Sequence, residues 1–237
     1  MVRVARGAEH GRSRARIVSA LAVIPARDAE STIGLVVRGL KSAVPDLSIL
    51  VIDDGSTDAT SARAREAGAD VIRHEVNRGK GAALQSGFDE ACRRGMGRVV
   101  TLDADGQHDP AYAGGLLEAL DRSDVVIGSR DRDRRGMPWL RRATNSFMTW
   151  AVSRLAGREI EDTQSGFRAI RATVLAAVRP RSSRFDYESE FLIEAGRKGF
   201  TIGAVPVPTL YNAPGSHIDP VRDTARFIRL VVRELIR

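Results

Sequence analysis

A chain of 237 residues with 43% hydrophobic content can bury one sizeable core, and the single cysteine, Cys92, excludes a disulfide framework within it and fits a reducing cytoplasm. The net charge of +7 suits nucleic acid, anionic lipid or phosphorylated small molecules alike, and so does not choose a partner. No apolar run reaches the roughly eighteen residues that a membrane-spanning helix needs.

Residues 1–15, rich in Arg, Gly and Ala without periodicity, read as a disordered basic tail. Arg12, Arg14 and Arg16 ahead of the run Ile17 to Ala26 imitate a secretory signal, but that run is needed as a first strand over 17–24, and charged residues follow it at once. Ile33, Val36, Val37, Leu40 and Val44 recur at helical spacing behind a capping candidate, Ser31. Strands are predicted over 47–52, 70–74, 98–102 and 124–128, with a later one over 201–207. Between the third and fourth, Gly79 to Arg94 carries Ala82, Ala83, Gly87 and Ala91, small residues that let a helix lie close to a sheet or to a ligand. Residues 131–138 read as a charged loop, and 139–156 as a helix with Leu140, Phe147, Trp150, Ala151, Val152 and Leu155 on its apolar side. From the capping candidate Asp219 and Pro220, a last helix sets Arg222, Arg226, Arg229, Arg233 and Arg237 beside an apolar stripe of Val221, Ala225, Ile228, Val232 and Leu235. That stripe would dock on the domain, and the Arg stripe would face solvent or an anionic membrane leaflet.

Alternating strands and helices predict an α/β fold with a mainly parallel sheet flanked by helices. One domain is expected over 16–218, with a nucleotide half to about residue 130 and an acceptor half over 131–218, followed by the helix of 219–237. Ligands bind outside the carboxyl ends of the strands of such a sheet. Two acidic runs stand there. Asp103-Ala104-Asp105 ends the fourth strand, and two carboxylates one residue apart point the same way, an arrangement that suits a hard divalent cation; the plain alternative is a solvated turn. Val51-Ile52-Asp53-Asp54-Gly55-Ser56-Thr57-Asp58 ends the second strand.

Other nucleotide folds are excluded by what these loops lack. Pro25-Ala26-Arg27-Asp28-Ala29-Glu30 contains no G-x-G-x-x-G, and Asn77-Arg78-Gly79-Lys80-Gly81 does not satisfy G-x-x-x-x-G-K-[ST]. An aspartyl-phosphatase loop would stand on the first strand, whereas the D-x-D stands on the fourth. A nucleotidyltransferase would open with a Gly-rich loop, which the first turn is not.

Seven segments in order carry a resemblance. They are Val23-Ile24-Pro25-Ala26; the run from Val51 to Asp58; Asn77 to Leu84; Leu102-Asp103-Ala104-Asp105-Gly106-Gln107-His108; Ile127-Gly128-Ser129-Arg130; Asp162-Thr163-Gln164-Ser165-Gly166-Phe167-Arg168; and Val205-Pro206-Val207 ahead of Ser216. Over roughly residues 18–230 the chain resembles a family 2 glycosyltransferase of the GT-A fold, in its dolichol-phosphate mannosyltransferase-like branch. The resemblance implies a nucleotide-diphosphate sugar donor bound by Pro25, Ala26, Arg27, Asp53, Lys80, Asp103 and Ala104. It implies Mg²⁺ or Mn²⁺ on Asp103, Asp105 and Gln107, with His108 behind them. Asp54 and Asp58 would shape their loop, Asp58 also as a helix cap. Arg130 and Arg141, on neighbouring elements, are candidates for holding an acceptor phosphate, and most of the arginines around Arg141 would be merely solvated.

Two departures bear on the donor. Where the family commonly has Pro-x-Tyr-Asn-Glu, this chain carries Arg27, Asp28 and Ala29 at the last three positions, and Asn212 and His217 replace a common Arg and Lys around Ser216. The expected reaction is inverting sugar transfer catalysed by Asp105, Arg130, Arg141 and Asp162. A polyprenyl phosphate acceptor is already anionic and needs no general base; a hydroxyl acceptor would take one from Asp162 or Glu190. A non-catalytic nucleotide-sugar-binding protein is the third reading. No nucleic acid beyond the nucleotide sugar is expected, and the setting is cytoplasmic, at the inner face of a membrane.

Overall fold

The computed structural model describes residues 19–130, 139–184, 186–208 and 220–236; within the helices, the side chains of 139–143, 220–226 and 228 lie outside the description. The expected tail, the charged loop of 131–138, Asn212, Ser216, His217 and the cap Asp219 also lie outside the described residues, as do the side chains of Leu140, Arg141 and Arg222.

Seven strands form one sheet: β1 (Ala20–Ala26), β2 (Ser48–Asp53), β3 (Asp70–Arg73), β4 (Arg98–Thr101), β5 (Val125–Ser129), β6 (Arg168–Arg171) and β7 (Ile202–Pro206), in the order β3-β2-β1-β4-β6-β5-β7. All pairings are parallel except those of β6, which runs antiparallel between β4 and β5. The sheet is thus the mainly parallel one expected. Alternation along β1 sends Leu21 and Val23 to one face and Ala22 and Ile24 to the other. On the first face lie α3 (Lys80–Arg93), α5 (Trp139–Ala156), α6 (Ala172–Ala177), α7 (Asp186–Arg197) and α8 (Pro220–Leu235). On the second lie α1 (Ile33–Ala43), α2 (Thr60–Glu66) and α4 (Ala113–Ala119).

Several expectations need correction. β1 continues through Pro25 instead of stopping before it: pairing with β4 ends at Val23, so the missing proline N–H has no ladder partner to lose. Ser31 does not cap α1; the N-cap is Thr32, without a side-chain cap bond, and the carbonyl of Ala29 accepts the first amides. The small residues of α3 serve packing, since a Cβ on Gly87 would stand 2.2 Å from Val23 Cγ1 of the sheet. On α5, Ala151 and Val152 are buried, whereas Phe147 and Trp150 face outward against each other. On α8 the docked face is Phe227, Leu230 and Glu234, while Val232 and Leu235 of the predicted stripe are exposed. The reason is electrostatic: buried Glu234 pairs with Arg197 at 2.5 Å, and Arg233 turns inward to Glu190 at 2.8 Å, which fixes the rotation of the helix.

Candidate functional site

Because β2, β1 and β4 are parallel neighbours, the loops after them converge at one edge of the sheet. The first two loops are stitched together. Asp28 N–H donates to Ser56 Oγ (3.0 Å), Thr57 N–H to Asp28 Oδ1 (2.8 Å), Glu30 N–H to Asp58 Oδ2 (3.1 Å) and Ala59 N–H to Glu30 Oε2 (3.0 Å). Asp28 holds a left-handed φ of 48°, a conformation that Asp tolerates better than most side chains. The unusual first loop is therefore matched to its neighbour.

The second acidic run is spent on the same framework. Asp53 is fully buried and accepts from Ser56 N–H at 2.8 Å and from the Ser61 hydroxyl. Burial alone would raise its pKa, but these hydrogen bonds and Arg73 bring it below the ordinary value. Asp54 accepts from Arg78 and Gly79 N–H (2.9 and 2.7 Å) and meets His74 Nδ1 at 2.7 Å, which closes the turn before α3. Asp58 accepts from Thr60 N–H at 2.9 Å as α2 begins. Asp53 thus shares the loop shaping expected of Asp54 and Asp58, with each of its oxygens engaged in the interior. Ala26 and Ala104 are likewise buried in the core, which leaves half-buried Pro25 and exposed Arg27 on the first loop.

The closed turn aims Lys80, the first residue of α3, at the D-x-D. Lys80 Nζ bridges Asp103 Oδ1 at 2.7 Å and Glu188 Oε2 of α7 at 2.8 Å, and Arg168 of β6 stands 3.8 Å behind Glu188. Burial would lower the Lys80 pKa, yet the two carboxylates raise it, so it stays an ammonium. Burial would raise Asp103, and Lys80, followed by His108, overrides that and lowers it. Asp105 behaves differently: burial and the charge of Asp103 push it up against the Gln107 N–H bond of 2.9 Å. Gly166 makes room for the pair, because a Cβ there would stand 2.5 Å from Asp103 Oδ2. His108 is buried on Phe167, its Nδ1 has no hydrogen-bond partner, and burial lowers its pKa against the pull of Asp103.

Arg130 and Asp162 form an ion pair that the sequence reading did not anticipate. The guanidinium donates to both carboxylate oxygens (2.8 and 3.2 Å), and the Arg130 amide adds a third bond of 3.2 Å. Burial would raise Asp162, and Arg130 more than reverses it. Asp162 is therefore a committed partner and a poor base. Glu190 is corrected outright: it is buried, accepts from Arg181 and Ser182 N–H (3.1 and 2.9 Å) and pairs with Arg233. The Arg141 side chain lies outside the described residues.

The set at Asp103, Asp105 and Gln107 fits a hard cation. It offers oxygen donors that are half-buried and open to the cleft, and Asp105 is raised first by burial and then by the charge of Asp103, both of which a bound cation would offset. Among the described residues no three His, Cys, Asp or Glu side chains cluster as a metal site by themselves. Sequence reasoning missed Glu188, Gly166 and Arg168. Asp186 and Glu188 both lie in the first turn of α7, and nothing local tells which carboxylate turns to the cleft.

Comparison with known proteins agrees with this geometry. The family described as Glycosyl transferase family 2 matches residues 21–179. Polyprenol monophosphomannose synthase of Mycolicibacterium smegmatis is 36% identical over 200 residues, covering 79% of this chain and 76% of its own. A UDP-N-acetylglucosamine–dolichyl-phosphate N-acetylglucosaminyltransferase of Methanococcus voltae is 31% identical, covering 80% and 84%. The fold matches glucosyl-3-phosphoglycerate synthase of Mycobacterium tuberculosis, crystallised with Mn²⁺, UDP and phosphoglyceric acid, with a TM-score of 0.69 and 23% identity over 92% of this chain and 77% of that one. The chain is a glycosyltransferase with the GT-A fold and belongs to glycosyltransferase family 2.

Proposed function

We propose that the protein transfers a sugar, with inversion, from a nucleotide-diphosphate sugar to the phosphate of a polyprenyl lipid, at the inner face of a membrane. The observation that carries the acceptor class is the state of the two candidate bases. Asp162 is locked on Arg130 and Glu190 is locked on a loop and on Arg233, so neither is disposed to take a proton from a hydroxyl. An acceptor phosphate brings its own anionic oxygen. Two relatives above 30% identity, named as polyprenol and dolichyl-phosphate transferases, support the same class.

In the reaction an acceptor oxygen forms the new bond to the anomeric carbon while the bond to the diphosphate breaks, and its electron pair leaves with the nucleotide. Asp103, Asp105 and Gln107 would hold Mg²⁺ or Mn²⁺, which when bound would supply positive charge to the departing diphosphate. Lys80, kept charged by Asp103 and Glu188, adds a second cation from the protein itself. Pro25 and Arg27 flank the donor on the opposite loop, over the framework of Asp53, Asp54 and Asp58. Arg130, oriented by Asp162, and Arg141 hold the acceptor phosphate in line. Among the described residues no helix is long and apolar enough to cross a membrane, and exposed Val232, Leu235 and Ile236 give α8 an apolar side to rest on one.

The test incubates the protein with GDP-, UDP- and dTDP-sugars and undecaprenyl phosphate, with Mn²⁺ or with EDTA, and measures nucleotide release and sugar on lipid. Metal-dependent labelling of the lipid phosphate is expected. Transfer to a hydroxyl acceptor with none to the lipid would overturn the acceptor assignment, and full rate in EDTA would overturn the metal.

A further inference from the structure

We infer that a second anion site, outside the transfer cleft, is built for a phosphate group between the 181–184 loop and α8. A hollow of about 290 Å³ there is lined by Arg181, Ser182, Ser183, Arg184, Arg229 and Arg233, together with the Asp186 carboxylate and buried Leu230. Four guanidiniums share it. Arg233 is neutralised by Glu190 at 2.8 Å and Glu234 at 3.3 Å, and among the described residues Arg181, Arg184 and Arg229 have no ion pair. All three are exposed, so solvent screens part of their mutual repulsion, and half-buried Asp186 is the one carboxylate in the lining. A phosphate would relieve that repulsion through charge-assisted bonds, with two serine hydroxyls beside it as further donors.

The hollow is also held in shape. The Arg181 and Ser182 amides are tied to buried Glu190, Arg233 reaches Ser182 Oγ at 3.5 Å, and the Ser183 carbonyl accepts from Ala82 N–H at 3.0 Å. A Cβ on Gly79 would stand 2.6 Å from that same carbonyl, so the loop packs against the turn that carries Lys80. An anion bound here would brace that turn from behind.

The shared chemistry is a phosphate mono- or diester, whether a lipid headgroup or a soluble compound. Inorganic phosphate is titrated into the full chain by calorimetry, and vesicles of phosphatidylglycerol or of phosphatidylcholine are sedimented with it. The variant Arg181→Gln/Arg184→Gln/Arg229→Gln leaves the Arg233 pairs intact, and Arg38→Gln/Arg63→Gln/Arg65→Gln removes equal charge from α1 and α2. The first variant should weaken binding by at least about tenfold, the equivalent of one charge-assisted hydrogen bond, while the second binds like the parent. Loss confined to the phosphatidylglycerol arm identifies a lipid headgroup, and loss in the phosphate arm alone identifies a soluble phosphate; either supports the site. Equal binding by the parent and the first variant in both arms, or equal loss in the second, would overturn it. Should the triple variant fail to fold, Arg184→Gln and Arg229→Gln are measured singly, and unchanged affinity in both overturns it equally.

Discussion

Gly166 gives the site its tightest tolerance. In Gly166→Ala the new methyl would stand 2.5 Å from Asp103 Oδ2 and 2.9 Å from Cγ, whereas ordinary contact begins near 3.4 Å, so the carboxylate must retreat by about 0.9 Å. That retreat draws Asp103 out of its 2.7 Å contact with Lys80 and away from Asp105. A misplacement of about 1 Å costs on the order of 100-fold in rate, and overpacking costs about 1–3 kcal/mol of stability. Gly166 has no positive φ, so backbone strain adds nothing. The companion variant Gly95→Ala reverses these conditions: its φ is +66° and nothing lies within 4 Å, so it should lose about 1–2 kcal/mol of stability and no activity. Nucleotide release with Mn²⁺ and thermal melts of both variants separate the two effects. A folded Gly166→Ala protein turning over at the parent rate would refute the claim that this glycine sets the position of Asp103.

Three further outcomes are expected. Asp105→Ala should cut metal-dependent turnover by at least about 100-fold while the melting temperature holds, and Asp103→Ala nearly as much; either variant working in EDTA at the full rate of the metal-loaded parent would remove the metal from the mechanism. Asp162 has a folded-state pKa below its ordinary 3.8, so its pairing with Arg130 contributes stability that is present above pH 3.8 and is lost as pH falls through the folded value. Asp162→Asn should therefore lower the melting temperature at neutral pH, lessen the dependence of stability on pH below about 4, and leave no new limb in the rate profile between pH 5 and 8; an acidic limb missing from the variant would mark Asp162 as a base after all. Glu234→Ala strips Arg197 and Arg233 of a buried partner and should release the last turns of α8, read as faster trypsin cleavage near residue 233 with the rest of the chain protected.

What the sequence determined by itself is the mainly parallel α/β fold, six of its strands in order, and the family. Apolar runs such as 48–53 and 98–101 are local patterns, and an Asp pair at the end of one needs only its neighbours in the chain to be recognised. β6 escaped because Arg-Ala-Ile-Arg holds only two apolar residues, and its place between β4 and β5 comes from partners 41 to 73 residues away. Asp53 and Asp103 look alike on paper; the fold buries the first under Ser56 and Ser61 and leaves the second open to Lys80. The Lys80–Glu188 bridge, the clearance at Gly166 and the rotation of α8 about Glu234 each join residues distant in sequence. Local periodicity reports which side chains want burial, but only tertiary packing selects among faces of nearly equal apolarity, and buried charge pairs made that choice for α8.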